Sequence, residues 1–248
     1  MPTSGPDPAG DSSHDQAIDP ALGRVVVAVD GPSGSGKSSV SRAVAQRLGL
    51  RYLDTGAMYR ALTWWALERD VDVADDATRP EVADLAVRLP LEISLSPTEA
   101  SVVVDGHDVT AAIREPRISA AVSAVATNLD VRTELVRRQR AIAVSGGVVV
   151  EGRDITTVVA PDADVRVLLT ADESARLIRR ALEVHGAADD AALAATHDHV
   201  VRRDAQDSTV ATFTEAADGV TVLDSSALTF DETVEALLGL VVARAGSS

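Results

Sequence analysis

The sequence predicts a doubly wound α/β fold built on a five-stranded parallel sheet, and three features of its 248 residues point there. Five short apolar runs alternate with segments whose apolar residues recur at helical spacing, the pattern of strand–helix–strand crossovers. A glycine-rich octapeptide separates the first apolar run from the first helical segment. One stretch, from Val71 to about Ala126, interrupts the alternation and reads as an insertion.

Taken in order, residues 1–23 are rich in Pro, Gly, Asp and Ser, carry four Asp and no Lys or Arg, and are expected to be a disordered tail. The rest, 24–248, is expected to form one domain. Its strands are read as Val25 to Asp30, Arg51 to Leu53, Gly147 to Glu151, Val165 to Leu169 and Val220 to Leu223. The continuous apolar character of these runs is that of strands buried on both faces. Helices are read over Lys37 to Leu48, Gly56 to Arg69, Val131 to Ala143, Glu173 to Glu183, Ala191 to Asp204 and Asp231 to Arg244, which places helices on both faces of the sheet. Within the insertion, Leu91 to Leu95 and Ser101 to Val104 look like antiparallel strands, with Asp105-Gly106 as a turn signal. Trp64 and Trp65 are read as core residues.

Composition narrows the function. With 23 basic and 38 acidic residues the formal net charge is -15, which argues against general affinity for nucleic acid or an anionic membrane. No apolar run approaches the roughly 20 residues a membrane span needs, and the N-terminus lacks the basic and apolar regions of a signal peptide, so a cytoplasmic protein is expected. With no cysteine there are no disulfides and no thiolate metal sites. Arginines nevertheless cluster, at Arg137, Arg138 and Arg140, at Arg176, Arg179 and Arg180, and at Arg202 and Arg203. Local clusters on an acidic protein suggest small anionic ligands.

The single lysine of the chain, Lys37, lies in Gly31-Pro32-Ser33-Gly34-Ser35-Gly36-Lys37-Ser38, which fills every fixed position of G-x-x-x-x-G-K-[ST]. Backbone N–H groups of such a loop and of the helix that follows cradle phosphates, the lysine reaches the β and γ phosphates, and the Ser38 hydroxyl can ligate Mg²⁺. Strand, loop and helix occur here in the required order, and Ser39 continues the loop into the helix. The residues thus describe a site for a nucleoside triphosphate.

Two further segments, Leu53-Asp54-Thr55-Gly56-Ala57-Met58-Tyr59-Arg60 and Val150-Glu151-Gly152-Arg153-Asp154-Ile155, stand at the ends of the second and third strands. With Val131-Arg132 and Arg203-Asp204-Ala205-Gln206-Asp207-Ser208, they closely resemble the bacterial cytidylate kinases of the long form, over roughly Val25 to Leu240. The resemblance implies a P-loop nucleoside monophosphate kinase fold: a five-stranded parallel core, an inserted monophosphate-binding subdomain at about 71–126 and a mobile lid at about 172–215. It implies a monomer that uses ATP and Mg²⁺ and phosphorylates CMP or dCMP.

By the same resemblance Thr55, Arg132 and Asp154 read the cytosine edge. Arg60 and Arg153 hold the acceptor phosphate with Tyr59 nearby, since guanidinium forks match phosphate oxygens. Arg203 and Asp207 contact the ribose. Arg176 and Arg180, at i and i+4 on one helix face, are expected to close over the triphosphate and, with Lys37 and Arg153, stabilise charge on the transferring group. A helix salt-bridged through Asp172 and Glu173 is the competing reading for that arginine pair, and Arg179 is expected to face solvent. Glu151 and Asp30 are expected to orient the water shell of Mg²⁺.

Two positions depart from the family pattern. Val210 stands three residues after Asp207, where the family carries arginine, and Thr156 stands where glycine usually follows Arg-Asp-Ile. They are the only support for one rival reading, a nucleotide-binding relative with weakened or absent catalysis; the other, a kinase for another monophosphate such as UMP, stands because its donor half would look the same.

Overall fold

The computed structural model describes residues 22–245. In chain order its elements begin with β1 (Val26–Asp30), α1 (Lys37–Arg47), β2 (Arg51–Asp54), α2 (Thr55–Leu67) and α3 (Arg79–Arg88). They continue with β3 (Leu91–Ile93), β4 (Val102–Val104), β5 (His107–Asp108), α4 (Pro116–Ala126) and α5 (Leu129–Val144). The remainder is β6 (Val148–Gly152), β7 (Val165–Thr170), α6 (Glu173–His185), α7 (Asp190–Asp207), β8 (Thr221–Asp224) and α8 (Phe230–Ala245).

The main sheet has the order β2-β6-β1-β7-β8 and every pairing in it is parallel. Alternate residues of β1 face opposite layers of core. Val27 and Val29 pack with Val40 and Val44 of α1 and with Val234, Leu237 and Val241 of α8, while Ala28 joins the layer formed by α2, α5 and the insertion. Both layers are fully apolar, which explains why the strand runs show no polar alternation. Trp65 is buried and Trp64 half-buried in the second layer, as the sequence suggested, and Arg69 stacks on Trp65 with its guanidinium 4.0 Å from the ring centre. After β1 the chain crosses toward β2, and after β6 it crosses toward β7, so the ends of β1 and β6 flank the point where the winding reverses. Open parallel sheets bind ligands in the crevice at that point.

The insertion is richer than its sequence suggests. Two helices, α3 and α4, go unread because α3 is short and α4 is built from Ala, Ser and Val; the proline near each N-terminus suits the first helical turn. The Asp105-Gly106 turn links β4 to β5, a strand the sequence reading lacks. Both turn residues have positive φ, 53° and 76°, the conformation that a two-residue hairpin turn requires.

Residues 1–21, most of the expected tail, lie outside the described residues. Its last two residues are ordered: Leu22–Arg24 form one turn of 3-10 helix, and Leu22 packs on the core beside α8. Among the described residues, no helix is long and apolar enough to cross a membrane.

Candidate active site

A cleft of about 540 Å³ opens at the carboxyl ends of β1, β2 and β6, between α2, α4 and the α6–α7 hairpin. The loop from Gly31 to Ser38 forms its floor. Ser33, Gly34, Gly36, Lys37, Ser38 and Ser39 face the cleft, whereas Gly31, Pro32 and Ser35 form the buried back of the loop. Gly34 has φ 77°, and a Cβ there would come within 2.5 Å of the Arg176 carbonyl oxygen, so α6 lies directly on the loop tip. Lys37 Nζ donates to the Pro32 carbonyl at 3.3 Å. Burial and the neighbouring Arg153 push its ammonium down to about 7, against the opposing pull of Glu151.

Hard oxygen donors lie beside the lysine. Ser38 Oγ donates to Glu151 Oε1 at 2.8 Å, and Glu151 is paired in register with Asp54 across β2 and β6. Burial, reinforced by the negative charge of Asp54, raises the Glu151 carboxyl above its ordinary range, although Lys37 and Ser38 offset part of this. No group of three or more His, Cys, Asp or Glu suited to a metal occurs among the described residues. One hydroxyl with carboxylates behind it fits Mg²⁺, which keeps several waters and is bound largely through substrate phosphates.

Asp30 is not part of this group, contrary to the sequence expectation. Its side chain turns behind β6, is 1% exposed, and accepts from Ile155 N at 2.8 Å, Thr156 N at 2.9 Å and Thr156 Oγ1 at 2.6 Å.

The remaining residues singled out from sequence converge on the cleft walls. Thr55, buried at the start of α2, donates its hydroxyl to the Glu151 carbonyl at 2.8 Å. Arg132 from α5 is salt-bridged to Asp154, and burial holds the Asp154 carboxyl above its ordinary value although Arg132 opposes this. Arg60 donates to Asp54 at 2.8 Å. Tyr59 lines the wall, its hydroxyl pushed up to about 12 by burial. Arg153 donates to the Gly31 carbonyl at 2.7 Å and to Asp207 Oδ2 at 3.2 Å, and lies 4.8 Å from the ring centre of the fully buried Phe213. Arg203 is 3.7 Å from the same Asp207 oxygen, and burial together with Arg153 lowers it to about 10. Excess positive charge with little water around it is what an anion pocket requires.

The α6 arginines divide. Arg180 lines the cleft, while Arg176 reaches behind the loop, donating to the Ser33 carbonyl at 3.0 Å and pairing with Asp204. Among the described residues Arg176 pairs with Asp204 and not with Asp172 or Glu173; Asp172 instead caps α6 through Ala175 N. Arg179 does not face solvent. It donates to Ser225 Oγ at 2.9 Å, to the Ser225 carbonyl at 2.7 Å and to the Ser35 carbonyl at 3.3 Å, tying α6 to the body. Six cleft residues escaped the sequence reading, Arg114, Pro116, Ser119, Val122, Ala126 and Val184, because nothing local marks them as facing a ligand.

A glycine loop between strand and helix, a lysine at its floor and a ring of arginines at the winding reversal define a P-loop nucleotide-binding protein of the kinase class. A family model described as cytidylate kinase matches residues 27–243, and the chain belongs to that family. It is 51% identical over 219 residues to a cytidylate kinase of Cutibacterium acnes, covering 88% of this chain and 96% of that protein. It is 47% identical over 226 residues to one of Rhodococcus opacus, covering 90% and 96%, and 44% identical over 227 residues to one of Streptomyces griseus, covering 90% and 95%.

Proposed function

We infer that the protein transfers the γ-phosphoryl group of ATP to CMP or dCMP, giving ADP and CDP or dCDP. The observation that carries this reading is that one cleft is lined both by the phosphate loop with Lys37 and by the Thr55, Arg132 and Asp154 set. A donor site and a polar site for a base would therefore share one cleft, as an in-line transfer between two nucleotides requires.

In this reading the loop amides and Lys37 hold the donor phosphates, and Ser38, backed by Glu151, would hold Mg²⁺, which would supply charge neutralisation. Arg60 and Arg153, with Tyr59 beside them, take the acceptor phosphate, and one of its oxygens attacks the γ phosphorus. Asp154 accepts from the exocyclic amine of cytosine while Arg132 and Thr55 address the carbonyl and ring nitrogen. Arg203 and Asp207 take the ribose. Arg180, which lines the cleft, would meet the transferring group, and Arg176 would join it when its bond to Asp204 is exchanged for phosphate. The α6–α7 hairpin acts as the lid, keeping water from competing as nucleophile.

ADP release with MgATP and a panel of CMP, dCMP, UMP, AMP and dTMP tests the reading, with Lys37→Ala as background. Stimulation by CMP and dCMP is expected. Stimulation by another nucleotide alone would reassign the base site, and ATP binding without stimulation would mark a non-catalytic relative.

A further inference from the structure

Arg114 stands apart from the other cleft arginines. It lies at the end of a short turn, Ala112–Arg114, that leads from the small antiparallel sheet into α4, and it lines the cleft. Its backbone is firmly placed: Ile113 beside it is 1% exposed in the core, and Arg114 N donates to the Ala111 carbonyl at 3.0 Å. Its side chain is the opposite. It is 51% exposed and forms no hydrogen bond among the described residues; its nearest acid is Asp54 Oδ2, 3.9 Å from Nη2. Arg60, by comparison, is 13% exposed and donates to that same oxygen at 2.8 Å.

Two guanidinium groups thus converge on one carboxylate, from α2 on one side and from the insertion on the other. Asp54 Oδ2 accepts from Arg60 and its Oδ1 from Ala57 N at 2.9 Å, while Arg114 pairs with it only loosely, at 3.9 Å and without a hydrogen bond. A planar fork on a fixed backbone, with no hydrogen bond to hold it and facing the cleft, is suited to an incoming phosphate.

We propose that Arg114 is a further binding residue for the acceptor, gripping the monophosphate jointly with Arg60 and so drawing the insertion onto the bound nucleotide. The proposal rests on the acceptor site assigned above and adds to it a contact from an element that contributed none. It also gives the half-exposed state of Arg114 a role, since the residue meets the phosphate at the cleft mouth before the buried arginines do.

The test separates phosphate from nucleoside. Binding of CMP and of cytidine to the full chain is measured by NMR titration for wild type, Arg114→Gln and Arg114→Lys. Arg114→Gln is expected to weaken CMP by about tenfold or more, the loss typical of one charge-assisted bond, with cytidine affected less than about twofold. Arg114→Lys should recover part of the loss, because a point charge replaces a fork. CMP affinity unchanged by Arg114→Gln, or CMP and cytidine weakened equally, would overturn the proposal. A wild-type protein that binds CMP but never turns over ATP would overturn the kinase reading alone, and the CMP-against-cytidine difference would still decide the role of Arg114.

Discussion

Thr156 Oγ1 donates to Asp30 Oδ2 at 2.6 Å, joining the turn after β6 to the last residue of β1. The two residues flank the functional loops: Gly31 of the phosphate loop follows Asp30, and Arg153 and Asp154 lie just before Thr156. The hydroxyl supplies a bond that glycine, usual in the family at this position, lacks. Thr156 thereby fastens the turn. Thr156→Val, which keeps shape and removes the donor, is expected to cost about 1 to 3 kcal/mol in urea unfolding, with Thr156→Ser near wild type. An unchanged unfolding midpoint would show the hydroxyl to be dispensable.

Lys37 links nucleotide binding to pH. Its folded-state value of about 7 is below the ordinary 10.5, so between those values the folded protein holds fewer protons than the unfolded chain, and this group makes the free protein more stable as pH rises. Bound phosphates restore the ammonium. ATP binding near about pH 8 should therefore take up a proton, and affinity should fall as pH rises through that window. Calorimetry in two buffers of different ionisation heat reads the uptake, which Lys37→Met should abolish. The same residue should remove turnover when replaced by alanine while leaving the unfolding transition in place.

Val210 lies on the cleft wall one turn after Asp207, half-buried beside Ala211. An arginine there can reach the cleft space without displacing a core side chain. Val210→Arg is expected to lower the KM for CMP by about tenfold, the scale of one added charge-assisted contact. Identical kinetics would show that this position no longer belongs to the acceptor site.

Glu134 and Arg138 fasten α5 to the insertion. Arg138 donates to the carbonyls of Leu89 at 2.8 Å and of Ala86 and Val87 at 3.0 Å, covering the open C-terminal end of α3, while Glu134 accepts from Arg137 and Arg138. The Arg137 hydrogen bond, with Arg138, overcomes the cost of burial and holds the Glu134 carboxyl down to about 2. A depressed acid stabilises the fold above its ordinary 4.5, and that contribution is lost as pH falls toward 2. Glu134→Gln should lower the urea midpoint at neutral pH and flatten its decline across that acid window. An acid limb as steep as in wild type would place the sensitivity elsewhere.

Much of the frame is legible in the residues themselves. The five sheet strands fall within a residue or so of their sequence-based limits, because each is a local apolar run bounded by turns, although β8, read as buried on both faces, is an exposed edge strand with Val222 54% exposed. The phosphate loop is equally local: its glycines are required by the backbone geometry that brings N–H groups toward one point. The helices of the insertion were not legible, because α4 has few large apolar residues to mark a period and gains its stability by packing on α2.

By itself, then, the sequence determined the sheet, the phosphate loop and the family, since these depend on periodicity, backbone conformation and short motifs. Only the tertiary structure decided which way each charged side chain turns. Asp30 ends β1 and is paired with Gly152, whereas Glu151 is paired with Val29, so the register turns the two carboxylates to opposite faces, Asp30 toward Thr156 and Glu151 toward Ser38. Arg176 and Arg180 share a helix face, yet one reaches the back of the loop and the other the cleft. Arg114 gains its place only when the insertion folds across the ends of the strands. Such choices depend on which long-range partner satisfies a buried charge at least cost in desolvation, and that partner lies far away in sequence.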